Sequence, residues 1–295
     1  MNDKEKHSLV SIVIISYNQG CFVEDAVKSI LCQTYKNLEV IIIDNNSSDN
    51  YSSFMAKKIA NKYGILYIQR TDSVLTKALN EALKIIKGQY VCFIAADDFM
   101  VHNKIEIQVN LLKKSMKEVA ACFGNQVKVN DIGELLGCSK IVDSKLFDFK
   151  DVFTKRVDLY APTAMYKTEI LKTIKGYNED HKIEDLSIYL KLTYGGYKLM
   201  RIKSPLVFYR IHGNNTHTKY KWMLEEKLRI WSIYKEEPLY RRGVENIYLE
   251  HFSNFGSTNK LECIKLIPKI WYRFDSKYLW IGFVRLLFDL RSWYA

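Results

Sequence analysis

The chain is poor in the residues that break structure. Only 13 glycines and 4 prolines occur in 295 residues, which excludes collagen-like repeats and leaves little material for long flexible linkers. Its six cysteines form no C-x-x-C pair, and runs such as VCFIA around Cys92 read as small buried thiols in a reducing compartment. No stretch approaches the roughly 18 uninterrupted apolar residues of a membrane span. MNDKEKHSLV opens on charges rather than on a secretory signal, so the expected location is cytoplasmic. Two phosphate-binding signatures are missing as well. The first apolar run ends Ser-Tyr-Asn-Gln-Gly without G-x-G-x-x-G, and no G-x-x-x-x-G-K-[ST] occurs, which disfavours dinucleotide dehydrogenases and P-loop enzymes. A sugar nucleotidyltransferase would want a glycine-rich, arginine-containing loop that SYNQG does not supply.

What is present is an ordinary globular composition, 48% hydrophobic and 26% charged, with an excess of base that gives a net charge of +11. Such a balance suits an anionic partner, and no nucleic-acid motif accompanies it. Four β-branched runs, Val10–Ser16, Leu38–Asp44, Ile65–Gln69 and Tyr90–Ala95, are apolar on both faces and predict strands of a covered parallel sheet. Helical periodicity lies between them, over Phe22–Leu31 and Leu75–Ile86. The expected fold is therefore α/β, a doubly wound, mostly parallel sheet flanked by helices. Further on, the pattern predicts a helix over His102–Ser115, a strand over Val119–Val129, a helix from about Ile183 and a strand over Lys198–Arg210. From about residue 216 the composition shifts: all five tryptophans follow, interleaved with Lys and Arg. Residues 1–215 are read as a catalytic domain (a nucleotide half over 8–98, an acceptor half over 99–215), and 216–295 as a helical, aromatic and basic region.

Ligands of open parallel sheets bind at the carboxyl ends of the strands. The four predicted strands end in Ser16-Tyr17-Asn18, Asp44-Asn45-Asn46, Gln69-Arg70 and Ala96-Asp97-Asp98, all polar. Without a glycine cradle a diphosphate needs another neutraliser, and Asp97-Asp98 has the chemistry to hold a divalent cation for it.

These residues carry a resemblance. SIVIISYNQGCFVEDAVKSILCQTYKNLEVIIIDNNSSDN, KALNEALKIIKGQYVCFIAADD, APTAMYKTEILKTIKGYNED, KIEDLSIYLKL and YRIHGNNT, in this order over roughly residues 8–218, resemble glycosyltransferase family 2. The resemblance implies a GT-A fold and an inverting, Mn2+- or Mg2+-dependent transfer of a sugar from a nucleotide-diphosphate donor, UDP by expectation. It places Ser16 and Tyr17 against the donor base, where the ring could stack. Asp44 would accept from the base, with Asn46 beside it. Position 45, an acid in the family motif, is an amide here. Lys77 and Asn80 would touch diphosphate or sugar, Asp97 the ribose and Asp98 the metal, although Ala95 stands where the family often has a further acid. His212 is the second expected metal ligand; Arg210 and His217 are further candidates from the same segment.

In the family's Glu-Asp motif, Asp185 would be the catalytic base and Glu184 its acceptor-orienting neighbour. A carboxylate within reach of an acceptor hydroxyl removes its proton as the new bond forms, worth roughly 10²–10⁴ in rate. The expected setting is bacterial O-antigen, lipopolysaccharide or capsule synthesis on a glycan or lipid-linked oligosaccharide acceptor, on the inner face of the plasma membrane. LECIKLIPKIWYRF and SKYLWIGFVRLLFDLRSWY have the composition of amphipathic helices at a membrane surface; a second copy in a homodimer is the other partner that would suit them. A degenerate nucleotide- or glycan-binding protein is the competing reading, favoured by Ala95 and Asn45.

Overall fold

A computed structural model describes residues 8–138, 143–155, 157–211 and 220–288. The chain divides into two compact units, residues 1–149 with 158–213, and residues 150–157 with 214–295. Residues 150–157, read above as part of the catalytic region, therefore cluster with the C-terminal helices.

The first unit is built on a ten-stranded sheet. Strands β1 (Val10–Ser16), β2 (Leu38–Asp44), β3 (Leu66–Gln69) and β4 (Tyr90–Ala95) lie parallel in the order β3-β2-β1-β4. Every residue of β1 is buried, as expected of a β-branched strand covered on both faces. Helices α1 (Val23–Leu31), α2 (Asn50–Tyr63) and α3 (Leu75–Ile85) make the crossovers. Asp49 caps α2 by accepting from the Ser52 amide, and Gly64, at φ 65°, ends it in the left-handed conformation.

Beyond β4 the sheet becomes mixed. After β5 (Phe99–Met100), helix α4 (Lys104–Lys114) leads to β6 (Val119–Val129), and the order continues β4-β9-β6-β10-β5. Here β9 (Met165–Lys167) is antiparallel to both β4 and β6, while β10 (Lys198–Arg210) runs parallel to β6. Pro205, which has no N–H for the ladder, sits at register shifts in β10. Short strands β7 (Leu135–Cys138) and β8 (Lys145–Phe147) pair antiparallel with β6 and β10; helices α5 (Phe149–Thr154), α6 (Thr168–Thr173) and α7 (Glu184–Tyr194) follow β8 along the chain. Lys104 is wholly buried and donates to Gln108 Oε1 at 2.7 Å. The Gln108 amide in turn donates to the carbonyls of Cys122 and Thr163. This polar core ties α4 to β6 and to the turn before β9.

In the second unit, helices α8 (Tyr220–Ser232), α10 (Lys260–Ile270) and α11 (Lys277–Phe288) pack on α9 (Tyr240–Phe255). A Cβ on Gly282 would come within 2.2 Å of the Phe252 ring, so glycine permits the close approach of α11 to α9. Arg273 pairs with Glu245 at 2.8 Å. The outward faces of α10, α11 and the turn between them are apolar and aromatic, with Leu261, Ile264, Trp271, Phe274, Trp280 and Leu287 all exposed. Among the described residues no helix is long and apolar enough to cross a membrane. Cys92, Cys122 and Cys263 are buried free thiols, whereas Cys21 and Cys32 are exposed.

Candidate active site

Register brings the strand ends together. Ser16 pairs with Asp44, Asp44 with Gln69, and Ile15 with Ala95, so four polar termini line one edge of the sheet. Asn18 binds the first two loops to one another: at φ 55°, its side-chain oxygen accepts from the Ser48 amide and its backbone N–H donates to Ser47 Oγ. Asp44 is buried and filled internally. One oxygen accepts from the amide and hydroxyl of Ser47, the other from the Ser53 hydroxyl. Burial first, and the Asp44 charge second, push the neighbouring Tyr67 phenol up to about 12. Ser16 is also buried, and its hydroxyl has no hydrogen-bond partner among the described residues. Tyr17 and Asn46 are exposed, Asn46 at φ 62°, as are Asn18 and Ser48 of the same two loops.

Asn45 explains its own departure from an acid. Its oxygen accepts from Arg70 Nη1 and its Nδ2 donates to the Ser73 carbonyl. Arg70 already pairs with Asp72 and Glu81, so the amide at 45 completes the guanidinium's hydrogen bonds without a third negative charge.

At the end of β4, Asp97 and Asp98 are both buried. Burial, then the charge of Asp97, push the Asp98 carboxyl well above the usual carboxylate range. Asp98 Oδ1 accepts from the Arg210 amide, and Arg210 Nε donates to the Asp97 carbonyl. The guanidinium also reaches the Asp131 carbonyl and Asp25, and lies over the rings of Phe22 and Phe99 at 4.5 and 5.4 Å. Arg210 thus ties the acid pair to the end of β10 and to the Asp131 carbonyl. His212 and His217 lie outside the described residues. Among the described residues no group of three or more His, Cys, Asp or Glu gathers round one point. The donor set is two adjacent buried carboxylates, of which Asp98 is raised by burial and by the charge beside it. That suits Mg2+ or Mn2+, which complete their shells with water and phosphate oxygens.

Glu184 and Asp185 open α7 (Glu184–Tyr194). First-turn acids complement any helix dipole, so position alone says little. The surroundings say more. Burial, then the charge of Asp185, push the Glu184 carboxyl up to about 8. Tyr166, Tyr177 and Tyr189 surround the pair, their phenols raised well above the usual value chiefly by burial. Tyr177 also packs its ring edge-on to Phe93 of β4 at 5.9 Å, which ties this cluster to the strand that ends in the aspartate pair.

Asn80 supports that cluster. Its oxygen accepts from the Tyr177 amide and its nitrogen donates to the Tyr177 carbonyl and Glu179. These bonds bracket the loop before α7 onto α3. Lys77 of the same helix is exposed. The three tyrosines and the Arg210 clamp escaped the sequence reading. The only signal for Tyr189 was its place four residues after Asp185, where it reads as part of the apolar face.

A family model described as "Glycosyl transferase family 2" matches residues 11–175. An "Uncharacterized glycosyltransferase" of Rickettsia bellii is 28% identical over 287 residues, covering 85% of this chain and 38% of that protein. The chain thus spans well under half of that relative's length. An Escherichia coli protein named "UDP-Glc:alpha-D-GlcNAc-diphosphoundecaprenol beta-1,3-glucosyltransferase WfgD" is 30% identical over 148 residues, 47% of this chain and 54% of that one. Among solved structures, S. aureus TarS 1-349 in complex with UDP-GlcNAc aligns with TM-score 0.65 at 17% identity, over 88% of this chain and 79% of that chain. The mannosyltransferase PcManGT from Pyrobaculum calidifontis, in complex with GDP-Man and Mn2+, aligns with TM-score 0.62 at 16% identity, over 96% and 88%. These likenesses identify the fold as the GT-A α/β architecture.

Proposed function

The chain belongs to glycosyl transferase family 2, and from that premise we propose that it is an inverting, metal-dependent glycosyltransferase using a nucleotide-diphosphate sugar, with UDP as the nucleotide. Tyr17 and Asn46 receive the base and ribose from solvent, over the buried frame of Ser16 and Asp44. Asp97 lies toward the ribose and Asp98 holds Mn2+ or Mg2+, with Lys77 able to reach the diphosphate from the rim. The cation, when bound, neutralises charge building on the departing diphosphate. The Asp185 carboxylate takes the acceptor hydroxyl's proton as the oxygen bonds to the anomeric carbon and the bond to the diphosphate breaks. One displacement of this kind inverts the centre. Glu184, its carboxyl raised by burial and by the charge of Asp185, stands beside the base and orients the acceptor.

The observation that carries this reading is the Glu184–Asp185 pair at the start of α7, set among Tyr166, Tyr177 and Tyr189, with the Glu184 carboxyl raised by burial and by its neighbour's charge. A solvated helix start has no reason to raise a carboxyl so far. UDP release should be assayed across a panel of nucleotide sugars with Mn2+. Asp185→Asn and Asp98→Asn should each abolish turnover while leaving the melting temperature near the parent's. Turnover by Asp185→Asn at the parental rate would remove the base assignment, and no release from any donor would favour a nucleotide-binding protein without catalysis.

The acceptor is proposed to be a glycan on a lipid carrier, in bacterial surface-polysaccharide synthesis at the cytoplasmic face of the membrane. The name of the E. coli relative includes a diphosphoundecaprenol-linked sugar, and the exposed Trp271, Phe274 and Trp280 alternate with Lys265, Lys269 and Lys277 as interfacial helices do. Co-sedimentation with phosphatidylglycerol vesicles, weakened by Trp280→Glu, tests the membrane contact. A concentration-dependent dimer that is lost in the same variant, without vesicle binding, assigns the face to a second copy.

A further inference from the structure

Residues 174–183, between α6 and α7, lead directly into the turn that carries Glu184 and Asp185. Lys175 and Gly176 both bend through the left-handed region, at φ 60° and 61°, and α3 grips the segment beyond them. Asn80 bonds Tyr177 in both directions: its oxygen accepts from the Tyr177 amide at 2.8 Å, and its nitrogen donates to the Tyr177 carbonyl at 3.0 Å. The same nitrogen donates to Glu179 Oε1 at 3.0 Å. One turn back on α3, the Thr76 hydroxyl donates to the Glu179 carbonyl at 3.3 Å. The fit is close. A Cβ on Gly176 would stand 2.4 Å from Asn80 Oδ1, so glycine is needed there for space as well as for its φ. From α7, Lys191 donates to the Gly176 carbonyl at 2.7 Å.

Both ends of this grip are anchored. Glu81, the next residue of α3, pairs with Arg70 at 2.8 Å, and Arg70 donates to Asn45, which stands between Asp44 and Asn46. At the other end, the Tyr177 ring packs on Phe93, and the charges of Glu184 and Asp185 both act on its phenol. His181 Nδ1 lies 2.6 Å from Ser187 Oγ, both residues 5% exposed, which binds the end of the loop to α7. Ile183, at the N-cap of α7, supplies no side-chain cap, so these loop contacts fix where the helix begins.

Resting on the reading of Asp185 as the base, we propose that Asn80 is a positioning residue: by holding Tyr177 and Glu179 it sets the base helix against α3, and it acts through that segment rather than by touching the donor. A displacement of about 1 Å at a catalytic group can cost on the order of 100-fold in rate.

Asn80→Ala and Gly176→Ala attack the grip from its two sides, the first by removing the amide and the second by driving a methyl group into it. UDP release is followed with the nucleotide sugar of the panel that the parent turns over fastest, and binding of UDP with Mn2+ by calorimetry. Each variant should lower kcat about tenfold or more, with donor KM and UDP affinity within about twofold of the parent's. The double variant should be little worse than either single one, because both break the same contact. Hydrogen exchange should quicken over residues 174–190 and stay parental in β1 and β2. Weaker donor or UDP binding with kcat retained would assign Asn80 to the donor and overturn the proposal. A lowered melting temperature with parental kcat would leave only a packing role and overturn it too. The base reading fails separately: Asp185→Asn at the parental rate removes it whatever the Asn80 variants do, and no UDP release from any donor removes both readings. With Asp185→Asn inactive and kcat unmoved in Asn80→Ala, the role of Asn80 alone fails.

Discussion

The backbone amide of Arg210 donates to Asp98 Oδ1 at 3.0 Å, across 112 residues of chain. The last residue of β10 therefore closes on the end of β4, and its side chain, lying between Phe22 and Phe99, grips the Asp97 carbonyl at 2.9 Å. Two adjacent buried acids are thus tied to the end of β10 by the backbone and side chain of one arginine.

Arg210→Lys keeps the amide and removes the planar fork with its two ring contacts. Losing several buried hydrogen bonds and the stacking should lower stability by about 2–4 kcal/mol in urea unfolding. With the aspartate loop no longer pinned, Mn2+ binding measured by calorimetry should weaken about tenfold or more, a loss typical of altered ligand support. Parental metal affinity in a variant with reduced stability would confine Arg210 to the fold.

Glu184 is expected to make stability fall as pH rises. Its folded value of about 8 lies above the ordinary 4.5, so between those limits the folded state binds the extra proton and the unfolded state does not. Stability is then greatest below about 4.5 as far as this group is concerned and declines through the window up to about 8. Glu184→Gln mimics the protonated form. It should flatten that part of the urea-midpoint profile and keep turnover within about tenfold of the parent at neutral pH, unlike Asp185→Asn. An unchanged slope in Glu184→Gln would place the titration elsewhere.

The first four strands were legible because each is a continuous apolar run ended by polar residues, a pattern that matches full burial in β1, although β3 at the sheet edge is partly exposed. Ser16, Asp44 and Asp97 fall where the register brings strand ends together. The second half was less so. Met165–Lys167 is too short to show a period, yet it enters the sheet between β4 and β6 and turns a parallel array into a mixed one. Asn80 looked like a polar face of α3, and only the fold reveals the loop it holds. Tyr166, Tyr177 and Tyr189 come from three separate stretches, and tyrosine in an apolar segment reads as packing until the acids beside it are known. Residues 150–157 have no composition that sets them apart; their allegiance to the C-terminal helices is made by partners far along the chain, as in the Trp231 Nε1 bond to the Phe153 carbonyl.

The second unit should respond to pH in the opposite sense, through His251. This side chain of α9 is only 2% exposed, and neither ring nitrogen has a hydrogen-bond partner among the described residues. Burial first, and the Lys227 charge second, push it down to about 4 from an ordinary 6.5. Unfolding frees it to take a proton that the folded state refuses, so stability is complete above about 6.5 and is lost as pH falls toward 4. The full span is worth on the order of 3 kcal/mol. His251→Leu removes the proton acceptor while keeping an apolar body against Phe255, whose ring lies 5.8 Å away. Circular-dichroism melts of the full chain between pH 7 and 4 should show a smaller acid loss for His251→Leu than for the parent. Melts that fall in parallel would mean that the imidazole finds water or a partner on protonation and that its burial in α9 is not what limits stability in acid.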